Sequence, residues 1–253
     1  MSTNRFFDEQ KWHRVATQNH DWYKIIYPEL EVLWSRHEGA DVENRNIVRN
    51  AVYGFFETLL DEGKVVLGSE GKDWDAERKP IDTIVIHHTK GEGGMTRSRL
   101  DAMHLLRLYA KSYLKPSTEK EIQGLPVWSN HFRNERESVR MCFYAYHWLV
   151  RRDGSVERLL ADDEIGWHAG NWDINCRSVG ICLDGDFEHS APPEAMIEGA
   201  KNLIREHYPA IATSRIIPHH VANPQTTCPG QWFLRIDWSA PRRYDDYVLF
   251  NIN

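Results

Sequence analysis

The sequence predicts an α/β protein with a single mixed central β-sheet of about five to six strands flanked by helices, preceded by an N-terminal helical extension. Three observations support this fold class. Short β-branched apolar runs alternate with segments of helical periodicity after residue 80. The first 75 residues carry helical patterns, and the chain has no internal repeat or low-complexity tract. The alternation of strands and helices favours helices on both faces of the sheet.

The extension, residues 1–75, is predicted from its apolar periodicity. Gly63 lies where a helix would end in the left-handed conformation. An aromatic segment from Trp22 to Trp34 contains Pro28, which predicts two short helices there. Residues 64–81 are mixed and polar and are interpreted as a connector. The apolar stripe of the last helix in this region consists of Ile47, Val48, Ala51, Val52, Phe55, Phe56, Leu59 and Leu60.

The main domain is predicted to span residues 76–240, with a C-terminal tail at 241–253. A polar insertion at 115–140 interrupts it, and loops of that length are usually functional or disordered. Apolar patterns predict strands at Thr83–His88, Met141–Val150, Val156–Leu160, Val179–Leu183 and Ser214–His219. Helical patterns predict helices at Arg97–Leu114 and Pro193–His207.

Charge and hydropathy exclude several partners. The net charge is −6 without a long basic run, which argues against nucleic acid and against a polybasic membrane signal. The sequence contains no run of about 18 apolar residues, so we predict no transmembrane segment. The N-terminal residues lack the apolar core of a signal peptide, so we expect a cytoplasmic protein, or release by an unencoded route such as lysis. We expect a monomer whose four cysteines are reduced.

Three residues with metal-binding side chains lie at or soon after the ends of predicted strands. His87 and His219 lie at strand ends, and Cys228 follows shortly after His219. A catalytic zinc ion needs three protein ligands and an open position, and histidine with cysteine suits it. The neighbouring His88 and His220 complicate the assignment, because adjacent strand residues face opposite sides. Strand geometry alone leaves the choice within each pair open, and a histidine at a strand end more often satisfies a local hydrogen bond.

Four ordered motifs between about residues 80 and 235 resemble the type 2 N-acetylmuramoyl-L-alanine amidases. That family includes a phage lysozyme-amidase and the peptidoglycan recognition proteins. Four motifs in the same order are more specific than any one of them alone. The motifs are Ile86–Thr89, Tyr146–Val150 continuing through Asp153-Gly154, Asn175–Ile181, and His219 followed by Asn223–Gly230.

The resemblance implies that His87, His219 and Cys228 bind Zn²⁺. Some relatives have a shorter spacing between the second histidine and the cysteine, and that spacing would select His220. Some non-catalytic recognition proteins carry serine at the position of Cys228, so the cysteine favours an active enzyme. The implied function is a zinc-dependent hydrolase that cleaves the amide between N-acetylmuramic acid and L-alanine in peptidoglycan or muropeptides.

Two alternatives stay open beside the enzyme. The first is a non-catalytic module that recognises peptidoglycan without cutting it. The second is a zinc-stabilised interaction domain, which would need a fourth protein ligand such as His88 or His220. A fourth ligand would fill the position that hydrolysis requires to be open.

The resemblance also implies catalytic roles for Tyr146 and Thr226. Tyr146 matches the active-site tyrosine of the family, whose hydroxyl can serve the oxyanion. Thr226 is similar to the threonine of the recognition-protein amidases, whereas the phage and recycling enzymes carry lysine. The recycling amidases place a catalytic glutamate where this chain has Cys182. The general base is therefore left unassigned.

The segment Trp167–Trp172 resembles the loop beside the metal that holds substrate. The predicted substrate-binding residues are His88, Trp167, His168, Asn171 and Trp172. The alternative is a glycine-containing turn with core tryptophans, because tryptophan is usually largely buried. His131 and Arg133 are a weaker candidate for binding muropeptide carboxylates. The acidic stretch at 162–164 is interpreted as a solvated turn.

Overall fold

The computed structural model describes residues 6–38, 42–66, 72–91, 93–108, 127–128 and 143–239. Two compact units divide the chain. One is drawn from residues 1–76 and 96–144, the other from residues 77–95 and 145–253. His131, Arg133 and the predicted tail at 241–253 lie outside the described residues, as does the predicted insertion apart from 127–128. The domain bounds inferred from the sequence stay a prediction.

Helices predominate among the described residues of the first unit. Asp8 caps the first of them by accepting a hydrogen bond from the Lys11 N–H at 2.9 Å. A two-residue parallel pair joins β1 (Lys72–Asp73) to β3 (Val127–Trp128). The core of this unit is aromatic, with Trp12, Trp22 and Phe56 almost fully buried. The helices are α1 (Glu9–Gln18), α2 (Trp22–Glu38), α3 (Val42–Asp61) and α4 (Arg97–Leu106).

Helix α2 continues through Pro28, so the prediction of two short helices was wrong. A proline inside a helix costs about 3 kcal/mol because it removes one backbone hydrogen bond. Burial of a large apolar side chain returns about 1.5–3 kcal/mol. Five apolar or aromatic side chains on this helix are buried, and together they offset the proline: Trp22, Tyr23, Ile26, Leu30 and Leu33.

The second unit contains a mixed five-stranded sheet in the order β5-β4-β6-β2-β7, and the predicted fold class is confirmed. Strands β4 and β5 pair antiparallel, and all other pairs are parallel. Every residue of β2 and β6 is buried, as expected for central parallel strands. The strands are β2 (Thr83–His88), β4 (Trp148–Val150), β5 (Val156–Arg158), β6 (Ser178–Leu183) and β7 (Ile216–Pro218).

Three helices accompany this sheet, α5 (Trp172–Arg177), α6 (Glu194–His207) and α7 (His219–Ala222). The predicted helix at 193–207 and the predicted strand at 83–88 are confirmed. Among the described residues, no helix combines the length and the apolar character that a membrane crossing needs.

Three predicted strands are shorter in the structure. Strand β4 begins only at Trp148. Of the predicted helix Arg97–Leu114, the structure describes residues 97–108, with α4 at Arg97–Leu106. Strand β5 ends at Arg158, so Leu159 and Leu160 follow it outside the ladder. Strand β7 ends at Pro218, and His219 opens helix α7 instead of closing the strand. Apolar character alone therefore overestimated strand length, because buried residues that leave the ladder look the same in sequence.

Asp82 ties together the starts of three sheet strands. Its carboxylate accepts hydrogen bonds from Arg177 before β6, from Arg215 before β7 at 2.9 Å, and from Thr83 in β2 at 2.7 Å. The hydrogen bond from Arg177 is the largest cause holding the pKa of Asp82 well below its usual range. The carboxylate is therefore charged in the folded protein across the neutral and mildly acidic range.

Asp82→Asn is expected to lower the free energy of unfolding by about 1 kcal/mol at neutral pH, a value reduced for the partial exposure of these pairs. Because folding depresses this pKa, the stabilisation is present above the unfolded pKa of about 3.9 and is lost as pH falls through the folded pKa. Urea unfolding of both proteins along a pH series measures it. A difference that does not shrink at acidic pH would contradict the assignment.

Candidate metal centre

The candidate ligands lie at the carboxyl end of neighbouring strands. His87 is the fifth residue of the six-residue strand β2. Strand β7 runs parallel to β2 with Ile86 opposite Pro218, so His219, the next residue along, comes beside His87. Cys228 lies in the segment after α7. One donor atom from each of the three buried residues lies within 4.8 Å of the others.

Cys228 is held by two backbone contacts. The His88 N–H donates to the Cys228 Sγ at 3.4 Å, and the Cys228 N–H donates to the Thr226 Oγ1 at 3.2 Å. Burial raises the pKa of the Cys228 thiol to about 12. A thiol in this environment becomes a thiolate when a cation binds beside it. The structure thus places the predicted catalytic residue Thr226 in the turn that orients Cys228.

The neighbouring histidines point to other partners. His88 Nδ1 accepts a hydrogen bond from the Phe187 N–H at 2.9 Å, and burial lowers the pKa of His88. His220 Nδ1 donates to the carbonyl oxygen of Cys228 at 3.1 Å. Among the residues that the structure describes, the group of potential ligands has three members, and neither His88 nor His220 belongs to it. The geometry therefore favours His219 and leaves no fourth donor among those residues for a structural zinc site.

Two further predicted residues lie beside His87. The ring of Tyr146 is 5.0 Å from the ring of His87, measured between centroids, and its side chain lies close to the Cys182 thiol. His168 is buried, and its Nδ1 lies 2.9 Å from His87 Nε2. The other ring nitrogen of His168 lies 3.3 Å from the Ser178 Oγ. Burial lowers the pKa of His168 well below the usual value.

Trp167 and Trp172 form a half-buried aromatic pair with centroids 4.7 Å apart. The Trp172 Nε1–H donates to Glu77 at 2.7 Å. Asn171 is exposed, and its side-chain oxygen caps α5 by accepting from the Ile174 N–H at 3.2 Å. Both rings are partly exposed. Substrate binding by this loop stays a prediction, as it does for His88.

The acidic stretch forms a turn, as expected. Asp162 and Asp163 are exposed. Glu164 accepts a hydrogen bond from the Ala161 N–H at 2.6 Å, and Asp162 accepts one from Arg158 at 2.6 Å. These carboxylates serve local contacts, so they form no paired-carboxylate site.

Sequence reasoning missed two contacts around the candidate ligands. Ser178 begins β6, and its hydroxyl contacts His168. Cys182 in the same strand lies close to the Tyr146 side chain, and burial raises the pKa of the Cys182 thiol well above the usual value. The alternation of β6 could have indicated that Ser178, Gly180 and Cys182 share a face. It could not have indicated which residues they meet.

Two imidazoles and a thiol, buried together, form a donor set suited to Zn²⁺, because borderline nitrogen and soft sulfur ligands select this ion over Mg²⁺ or Ca²⁺. The fold and this group define an α/β protein with a candidate zinc centre at the carboxyl ends of its strands. Residues 77–231 match the family model described as N-acetylmuramoyl-L-alanine amidase. Because this match covers more than half of the sequence, the chain belongs to that family.

Several curated relatives match at modest identity. The endolysin of Enterobacteria phage K11 is 34% identical over 93 residues, which are 34% of this chain and 58% of the relative. A peptidoglycan-recognition protein of Drosophila simulans is 30% identical over 113 residues, 43% of this chain and 57% of the relative. The 1,6-anhydro-N-acetylmuramyl-L-alanine amidase AmpD of Citrobacter freundii is 30% identical over 104 residues, 38% and 54% respectively. The chain thus spans little more than half the length of each.

Proposed function

We propose that this protein is a zinc-dependent hydrolase that cleaves the amide between N-acetylmuramic acid and L-alanine in peptidoglycan or muropeptides. Family membership supports the reaction class. The observation that carries the proposal is the buried group of His87, His219 and Cys228, whose donor atoms lie within 4.8 Å of one another. Three ligands without a fourth among the described residues are typical of a catalytic rather than a structural zinc site.

The residues around this group can serve hydrolysis in distinct ways. His87, His219 and Cys228 would hold the ion, which when bound polarises a carbonyl group and lowers the pKa of water. The Tyr146 hydroxyl, beside His87, can donate to the substrate oxygen as negative charge develops on it. The Trp167 and Trp172 pair offers an apolar wall for the sugar or the peptide stem. No carboxylate belongs to the group within the described ranges, so the general base is unassigned.

A non-catalytic peptidoglycan-binding module is the second candidate. The similarity to the Drosophila simulans recognition protein is the observation that favours it. The complete set of candidate ligands argues for hydrolysis, because a module that only binds has no need of a metal with an open position. The two candidates differ in one measurable outcome, the appearance of a new amino group on L-alanine.

The purified full chain, loaded with zinc, is expected to release L-alanyl peptides from sacculi or from soluble muropeptides. Labelling of the new α-amino groups, followed by mass spectrometry, identifies L-alanine as the freed residue. A chelator is expected to abolish release, and added zinc to restore it. Binding to sacculi without any release of peptides, at full zinc occupancy, would establish the recognition module instead.

A matched control uses a histidine remote from the candidate site. His189 is exposed, so His189→Gln is expected to leave zinc binding and peptide release unchanged. His219→Gln is expected to abolish both. If His189→Gln and His219→Gln behaved alike, the assignment of the ligand would be refuted.

A further inference from the structure

We propose that His168 is a positioning residue that fixes the ring orientation and the tautomer of His87; this inference rests on the proposed zinc site. His168 Nδ1 lies 2.9 Å from His87 Nε2, within hydrogen-bond distance. The two rings stand almost perpendicular, at 87°. Both side chains are buried, at 1% and 2% exposure for His87 and His168, so water cannot readily replace this contact.

The proton positions along this chain of contacts follow from the ligand role. A neutral histidine binds a metal through its unprotonated ring nitrogen, and the other ring nitrogen carries the proton. Because His87 Nε2 faces His168, the ligand role would fall to His87 Nδ1. Nε2 then donates its proton to His168 Nδ1. The proton of His168 therefore resides on Nε2, which donates to the Ser178 Oγ at 3.3 Å.

Gly180 makes room for the His168 ring. A Cβ atom at Gly180 would lie 2.8 Å from His168 Cγ, which is shorter than real Cβ atoms show, so a larger residue there would press on the ring. A Cβ atom at Gly166 would lie 3.0 Å from His168 Cδ2, but it would first meet the Ala145 carbonyl oxygen at 2.4 Å. The Gly180 N–H is itself fixed by donating to His147 Nδ1 at 3.1 Å. The backbone at Gly180 therefore leaves space for the His168 ring.

The same contacts argue against a direct substrate role for His168. Its side chain is nearly inaccessible, and both ring nitrogens contact protein groups. A partner that orients a ligand histidine typically contributes 10–100-fold to metal affinity. His168 is expected to act on the substrate only through the ion that His87 would hold.

Two variants of similar size distinguish the effect of losing the hydrogen-bond acceptor from the effect of losing the histidine ring. In His168→Asn, the amide oxygen of the new side chain can occupy the position of Nδ1 and accept from His87, whereas His168→Leu has a similar shape without an acceptor. We expect His168→Leu to bind zinc about 10–100-fold more weakly than the wild type. We expect His168→Asn to stay within about threefold of it, since its acceptor preserves the orienting hydrogen bond. Competition with a chromophoric chelator at fixed pH measures the affinities.

Thermal unfolding of the zinc-free proteins shows whether both variants fold. If His168→Leu does not fold, Ser178→Ala decides, because it removes the acceptor for His168 Nε2 and is expected to weaken zinc binding several-fold. Equal zinc affinities of the folded His168→Leu and His168→Asn variants, or an unchanged affinity of Ser178→Ala in that case, overturn the proposal.

The affinity measurement separates this inference from the proposed function. A wild-type chain that binds zinc but releases no peptide refutes the hydrolase and leaves the role of His168 to be decided by the two variants. A wild-type chain that binds no zinc overturns both. An active zinc enzyme whose His168→Leu variant binds zinc normally overturns only the positioning role.

Discussion

Cys228→Ser is expected to abolish zinc binding at equimolar concentration and to reduce peptide release by roughly 10³-fold or more. A serine hydroxyl stays protonated at neutral pH and is a poorer zinc ligand than a thiolate. The remaining two histidines cannot hold the ion in a defined site. Metal-ion catalysis supplies several kcal/mol, and about 4 kcal/mol corresponds to about 10³ in rate. Zinc content by atomic absorption and release of L-alanyl peptides measure both effects.

Cys176→Ser is the matched control. Cys176 is also a buried cysteine of the second unit, but it lies in α5 and not among the potential ligands. We expect it to retain one zinc ion per chain and normal activity. If Cys228→Ser retained the activity, the far-ultraviolet spectrum and the zinc content of the wild type, Cys228 would not be a zinc ligand.

The central sheet could be predicted because its strands carry a local signal. The run Thr83–His88 is β-branched and apolar, and all six residues are buried. The candidate ligands could be recognised from the motifs, and the structure brings His87, His219 and Cys228 together. Local composition was sufficient to predict the strand, and motif order was sufficient to predict the three ligands, since both are read from short stretches of sequence.

Features that depend on tertiary contacts could not be predicted. Pro28 predicts an interruption, yet burial of one face carries α2 through it. The choice between His219 and His220 was left open by strand alternation and by motif spacing. In the structure both residues lie in a helical turn, in which His220 turns to the Cys228 carbonyl, and this favours His219. The contact between His168 and His87 joins residues 81 positions apart, and no local pattern encodes it.

The loop that follows the strand of His87 is anchored by a buried carboxylate. Asp184, directly after β6, is 1% exposed. Its carboxylate accepts hydrogen bonds from the Gly94 N–H at 2.8 Å, the Met95 N–H at 3.2 Å and Arg151 Nη1 at 2.7 Å. Arg151 also donates to the Met95 carbonyl oxygen at 2.7 Å. One carboxylate thus satisfies two backbone donors and one guanidinium group in a place with little water.

Asp184→Asn is expected to lower the free energy of unfolding by about 3 kcal/mol, because a charged acceptor at a buried position is lost and one of its N–H donors is left without an acceptor. The asparagine keeps the size of the side chain but loses its charge and one acceptor oxygen. Urea unfolding at neutral pH measures the change. Asp163→Asn, at an exposed carboxylate of the same unit, is expected to stay within about 0.5 kcal/mol of the wild type. A loss below about 1 kcal/mol for Asp184→Asn would mean that the existing pair with Glu157 suffices for Arg151, and that the loop is held by its backbone contacts alone.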